Sequence, residues 1–298
     1  MSDASSQPTG RRKPLRILFW VLVIGFVVAL VANALLSDLD LSGEDRIALI
    51  RVEGVILDAQ QTVSDLKKFG ENPSVKAIVL RIDSPGGGVV ASQEIHDEVL
   101  RVRNKHDKAV VASMGTVAAS GGYYIAVAAD RIVANPGTLT GSIGVIMELA
   151  NLEGLLKKIG VQSVVVKSGL HKDLGSPFRT MSPEDRHILQ TVMDDVHKQF
   201  IDAVAEGRSL DTRDVTRLAD GRIFTGRQAK DAKLVDDLGD LEDAIRLAAD
   251  MAEIEGEPKV IEPHRRFSIR EWLESRLFGR LPRLDFQTGV SLKYLMAF

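Results

Sequence analysis

Ser120 stands in "TVAASGGYYIAVAAD" (Thr116–Asp130), after two alanines and before two glycines, where a β-branched run gives way to a helical one. Small residues on both sides of one hydroxyl allow a tight strand-to-helix turn, and Gly121 and Gly122 leave room for a substrate carbonyl. A helix N-terminus at that point favours negative charge developing nearby. These features point to an exposed, nucleophilic serine. A helix N-cap in a small-residue packing site would use the same residue more plainly.

A second glycine turn, "DSPGGG" (Asp83–Gly88), follows another β-branched run. In an open parallel sheet, ligands bind beyond the carboxyl ends of the strands. Glycine backbone can approach a ligand there and point its N–H groups at it. A tight Pro-Gly turn into the next helix accounts for these residues equally well.

A nucleophilic serine needs a base. Of the six histidines, His96, His187 and His197 fall on helical stretches that read as solvated faces. His106 sits in a polar turn and His264 in a weakly patterned tail, which leaves His171 in a loop with Lys172 beside it. A lysine serves as general base when burial or neighbouring cations lower its pKa toward neutrality. The residues leave both candidates open.

The elements that must position these groups alternate in type. Strands are expected at Arg46–Ile56, Val75–Asp83, Ala109–Met114, Asp130–Ala134, Leu139–Val145 and Gln162–Lys167. Helices are expected at Thr62–Glu71, Ala91–Asn104, in the stretch after Ser120, at Leu152–Ile159 and at Leu241–Ile254. A long helix follows Ser182, with that serine as N-cap and Pro183 at its first position. Continuous apolar strands between helices indicate an α/β fold with a largely parallel sheet and flanking helices.

Residues 17–37, "ILFWVLVIGFVVALVANALLS", carry no charge. At about 1.5 Å per residue a helix of this length spans about 30 Å, one bilayer core. Arg11, Arg12, Lys13 and Arg16 precede it, and Asp38, Asp40, Glu44 and Asp45 follow. The positive-inside rule then keeps residues 1–16 cytoplasmic and exports the remainder. A cleaved signal peptide is the alternative, because Ala32-Asn33-Ala34 resembles a processing site. The resulting division is a basic N-terminus (1–16), a transmembrane helix (17–37), a linker (38–45), one domain (46–255) and a basic amphipathic extension (256–298), with Trp272 and Phe278 on a possible helix of the last.

The chain has 298 residues, a net charge of −3, 5% aromatics and no cysteine. Disulfides, thiolate metal sites and a cysteine nucleophile are excluded, and no nucleic-acid partner is suggested.

Four separated motifs, "DSPGGG", "MGTVAASGGYYIAVAADRI", "TLTGSIGVI" and "KSGLHKDLGSP", resemble those of the signal peptide peptidase A family, in the family's order over about Ile47–Leu241. These are membrane-anchored serine proteases of crotonase/Clp-protease-like fold, and the chain resembles the half-length form. The resemblance implies Ser120 as nucleophile and Lys172 as general base. It also implies Gly87 and Gly121 as oxyanion-hole donors and Ser142 as a hydroxyl that hydrogen-bonds the lysine. It implies no metal or cofactor, and signal peptides or other apolar peptides as substrates. The domain would lie on the extracytoplasmic (periplasmic) face of the inner membrane, in a homo-oligomer of eight subunits whose dyads form between neighbours. An acyl-thioester enzyme of the same fold, or a catalytically silent membrane scaffold, are the competing readings.

Overall fold

The computed structural model describes residues 19–26, 28–29, 45–263 and 293–296. Residues 19–26 and 28–29 are helical. Among the described residues no helix is long and apolar enough to cross a membrane, and the rest of the 17–37 run lies outside them. So do Trp272, Phe278 and His264. The unit from Asp45 onward carries everything that follows.

Its sheet has eight strands. The path runs β7 (Ile223–Thr225), β6 (Leu139–Gly141), β4 (Ala109–Ala119), β2 (Val75–Ser84), β1 (Arg46–Glu53) and β9 (Lys259–Ile261). β5 (Arg131–Ala134) pairs with the first half of β4 and with β8 (Asp237–Leu238). Among the described residues only the β6–β7 pairing in this sheet is antiparallel.

Both faces of the central strands are apolar, with alternate residues serving opposite layers. Ile47, Leu49, Ala77, Val79, Val111 and Val133 face α8 (Leu241–Met251), which packs through Ala244, Ile245, Ala248 and Ala249. The intervening Ala48, Ile50, Ile78, Leu80, Ile82, Val110, Ala112 and Met114 join the larger core. That core also takes in α1 (Gln60–Glu71), α2 (Val89–His106), α3 (Gly121–Ala126) and α5 (Pro183–Arg208). α5 starts as its residues dictate. Ser182 and Asp185 form a reciprocal capping box, with Pro183 in the first turn.

Two expectations are corrected. The run Gln162–Lys167 forms no strand: Val164 is 85% and Val166 97% exposed, and none of the run pairs with a strand among the described residues. Residues 256–298 are not simply an appendage. They supply β9 beside β1, and β10 (Lys293–Leu295), which pairs antiparallel with the short β3 (Gly86–Gly88). The segment around α4 (Glu153–Lys158) and the following loop is almost entirely exposed and is held mainly by its own bonds, such as Leu152 N–H to the Pro177 carbonyl at 2.6 Å.

Candidate active site

Sheet register assembles the site. Ser84 of β2 pairs with Ala118 of β4, and Ala119 pairs with Gly141 of β6. Three neighbouring parallel strands therefore end at one level. The turns that leave them carry Gly86–Gly88, Ser120–Gly122 and Ser142, at the edge where open α/β sheets bind ligands. The Ser120 N–H donates to the Gly141 carbonyl at 2.8 Å, which ties the middle turn to β6. Thr140 Oγ1 donates to the Ala118 carbonyl at 2.6 Å, one residue away on each strand.

Ser120 has φ 51° and ψ −117°, a region that L residues rarely occupy. Such a conformation costs on the order of 1–3 kcal/mol and persists only where the surroundings enforce it. It occupies the N-cap position of α3 but makes no side-chain capping bond, so the capping use of this serine does not apply. Its Oγ is buried and has no hydrogen-bond partner among the described residues. The residue is 1% exposed, which corrects the expectation of a hydroxyl displayed at the surface.

The two glycine turns are in backbone contact, and that contact explains the burial. A Cβ on Gly86 would lie 2.6 Å from the Gly121 nitrogen and 2.0 Å from the Tyr294 carbonyl oxygen of β10. A Cβ on Gly121 would lie 3.2 Å from the Gly87 nitrogen and 2.5 Å from Ser92 Oγ. Side chains would thus separate the two amide nitrogens that the family resemblance implies as oxyanion donors. Gly87 is also hemmed in by Ile56, whose carbonyl oxygen would be 2.1 Å from an added Cβ.

β10 lies along this turn as an added strand. Tyr294 stands opposite Gly87, and Lys293 and Ile146 exchange backbone hydrogen bonds of 3.1 and 3.3 Å on the other side. The Tyr294 ring is fully buried, stacked on Tyr124 at 5.2 Å and 4.7 Å from Phe200, and its hydroxyl donates to the Val196 carbonyl at 3.1 Å. His96 closes the far side of Tyr124 at 4.9 Å. It is buried, not on a solvated face as expected, and burial holds its pKa below the ordinary histidine value, against the opposing pull of Asp97. An apolar groove of about 630 Å³ opens beside the turn, lined by Leu57, Val90, Met147, Leu189, Val192 and Val196 among others. The sequence reading missed this aromatic box. Tyr124 lies inside the serine motif and was the available signal, whereas three residues of β10 in a mixed-pattern tail offered none.

Gly87, Ser120, Gly121 and Ser142 are therefore brought together. Ser142 follows β6 at φ 50°, nearly buried, with its N–H donating to the Arg222 carbonyl at 2.8 Å. Lys172 is not brought to them within the chain. It is exposed, in the loop after the unpaired valines, and its side chain has no partner among the described residues. His171 is likewise exposed and lies 3.6 Å from Glu184. Among the described residues no three His, Asp or Glu side chains stand together as a metal-binding group.

A strained serine at the carboxyl edge of a largely parallel sheet, flanked by glycine amides, defines the class: an α/β serine hydrolase of Clp-protease-like fold. Residues 44–137 match the Clp protease family and residues 102–255 match peptidase family S49. The chain is 48% identical over 212 residues to a putative protease of Synechocystis, covering 71% of this chain and 76% of that one. It is 40% identical over 213 residues to a putative signal peptide peptidase SppA of Enterococcus faecium, covering 67% and 62%. A putative protease of Methanocaldococcus jannaschii is 34% identical over 292 residues, 92% of this chain and 91% of that one. The chain belongs to peptidase family S49 and is a serine peptidase.

The glycine contacts give an expected difference between two substitutions. Gly87→Ala meets fixed backbone at Ile56, so peptidase kcat should fall by about 100-fold or more, as when an oxyanion donor is lost. Gly121→Ala first meets the tip of the Ser92 side chain, so adding Ser92→Gly should restore part of its activity. Steady-state kinetics of the three variants checks this, and equal, unrelieved losses would contradict it.

Proposed function

We propose that this peptidase cleaves signal peptides and other apolar peptides at the membrane, with Ser120 as nucleophile and Lys172 as general base. The observation that carries the reading is the buried, unpartnered Ser120 hydroxyl, held on strained backbone beside the amides of Gly87 and Gly121. A hydroxyl so placed forgoes a hydrogen bond, which costs on the order of 1–3 kcal/mol. A base supplied to it would recover that loss.

In this mechanism neutral Lys172 takes the Ser120 proton and the alkoxide attacks a peptide carbonyl carbon. The N–H groups of Gly87 and Gly121 hold the oxyanion, each contributing on the order of 3 kcal/mol. The Lys172 ammonium gives its proton to the leaving amine, and water then hydrolyses the acyl-enzyme. Ser142, at the end of β6, is the hydroxyl that would orient the ammonium.

Substrate class is supported by three features. β10 lies along Gly86–Gly88 as an extended strand, the geometry in which a peptide adds to a sheet edge. Opposite Gly87 the Tyr294 ring packs on Tyr124 and Phe200, and the neighbouring groove is apolar. The Enterococcus faecium relative is named a signal peptide peptidase. The apolar run 17–37 would anchor the chain, with residues 1–16 cytoplasmic and the peptidase unit on the extracytoplasmic side.

Lys172 makes no hydrogen bond to Ser120 and extends with an exposed apolar loop. We infer that it completes the site of a neighbouring subunit, in a head-to-tail ring, of eight subunits in the form this chain resembles. An acyl-thioester reaction finds no support in the family assignment.

Ser120→Ala and Lys172→Ala should each abolish cleavage of an apolar peptide reporter with the fold retained by circular dichroism, while His171→Ala keeps most activity. Full activity in Lys172→Ala together with loss in His171→Ala would reverse the assignment of the base. Separately, the protein should stay in the membrane fraction after alkaline carbonate washing. Recovery of a soluble form beginning at Leu35 would show instead that Ala32-Asn33-Ala34 is processed.

A further inference from the structure

Asp173, the residue after Lys172, is tied to the first turn of α5, while the Lys172 side chain has no partner among the described residues and its N–H donates to the Gly169 carbonyl at 3.2 Å. Arg179 makes the tie on one side. Its Nε and Nη2 donate to the two carboxylate oxygens of Asp173 at 2.9 and 3.1 Å, a bidentate pair, and Nη2 also reaches the Asp173 carbonyl at 3.4 Å. Its Nη1 donates to Asp185 Oδ2 at 2.5 Å and to the Thr180 carbonyl at 3.2 Å. Asp185 in turn is the capping-box carboxylate of α5, accepting from the Ser182 N–H at 3.1 Å. His171, on the other side, lies near the same turn, 3.6 Å from Glu184 and 3.9 Å from Asp185. Lys167 closes the loop before Lys172, donating to the Leu170 carbonyl and to Asp173 Oδ1, both at 2.7 Å.

Exposed ion pairs ordinarily contribute little. This one differs in geometry and setting. The Asp173 and Asp185 side chains are only 10% and 5% exposed, and the guanidinium spans them in a planar fork. α5 is itself fixed to the core by Val196, Phe200, Ile201 and Val204. A rigid path therefore runs from the core, through the α5 N-terminus and Arg179, to the residue next to Lys172.

We propose that Arg179, through Asp173 and Asp185, is a positioning residue that fixes the Lys172 loop in the orientation needed for proton transfer from Ser120. The proposal rests on Lys172 being the base. Arg179 and Lys167 hold the Asp173 carboxyl down to about 2, and Arg179 also holds Asp185 below the ordinary range. A carboxyl lowered in this way contributes above its unfolded pKa and loses that contribution only as pH falls through the folded value. The clamp is thus intact at neutral and alkaline pH, where a lysine base must work.

The test compares kcat and KM of the full chain for an apolar peptide reporter in Arg179→Met, Arg179→Lys, Asp173→Asn, the Arg179→Met/Asp173→Asn double variant, and Lys172→Ala. Misplacing a catalytic group by about 1 Å can cost about 100-fold. Arg179→Met is expected to lower kcat by about tenfold or more with KM within about twofold, and Arg179→Lys to recover part of it. The double variant should be no worse than Arg179→Met, as expected for residues acting as one unit. A purely structural role would not separate kcat from KM in this way. Wild-type kcat in Arg179→Met, beside an inactive Lys172→Ala, overturns the positioning role alone, as does a loss that Arg179→Lys leaves wholly unrelieved. Activity retained in Lys172→Ala removes the base assignment, and the positioning role with it.

Discussion

The structure depends on one close contact, between the backbone of Gly86–Gly87 and that of Gly121. A Cβ on Gly86 would lie 2.6 Å from the Gly121 nitrogen, and the contact exists because β2 and β4 are parallel neighbours that end in register. Ser120 pays for it with a positive φ and a hydroxyl without a partner. An arrangement that is locally unfavourable in two respects, inside a buried apolar core, is what the proposed role of Ser120 as a preorganised nucleophile requires. The rest of the sheet serves it. The apolar faces of β1, β2 and β4 bury the strands on both sides, and β6 ties the serine turn down through Gly141.

The second half of the chemistry is built differently. Lys172, the proposed base, sits on a loop outside the core, organised by charge instead of apolar burial, with Arg179 and the α5 capping box as its frame. Buried placement of Ser120 and an outward-facing loop for Lys172 suit the proposal of a site completed across a subunit boundary. The exposed valines ahead of Lys172, with strand-forming side chains and no strand pairing among the described residues, fit the same account.

The central elements could be read from residue types because their burial pattern is local. Val75–Asp83 and Ala109–Met114 are continuous apolar runs with glycine turns nearby, and both strands form where expected. The meeting of the two glycine turns at Ser120 could be read from strand ends at one sheet edge, whereas Ser142 was implied only by the family resemblance. What failed depended on contacts distant in sequence. Burial of Ser120 and His96 is imposed by turns and side chains far along the chain, including β10. The valine run before Lys172 has the composition of a strand, but pairing needs an edge that composition cannot specify. β9 and β10 are three residues each, below the length at which periodicity carries information.

The central claim is that the Ser120 hydroxyl of one subunit meets the Lys172 amine of another. Co-assembly of two inactive chains, Ser120→Ala and Lys172→Ala, tests it most directly. Mixed rings contain boundaries at which an intact serine faces an intact lysine, so peptidase activity should reappear in proportion to those boundaries. Mixed rings of confirmed composition that stay inactive would place both residues of each dyad in a single chain.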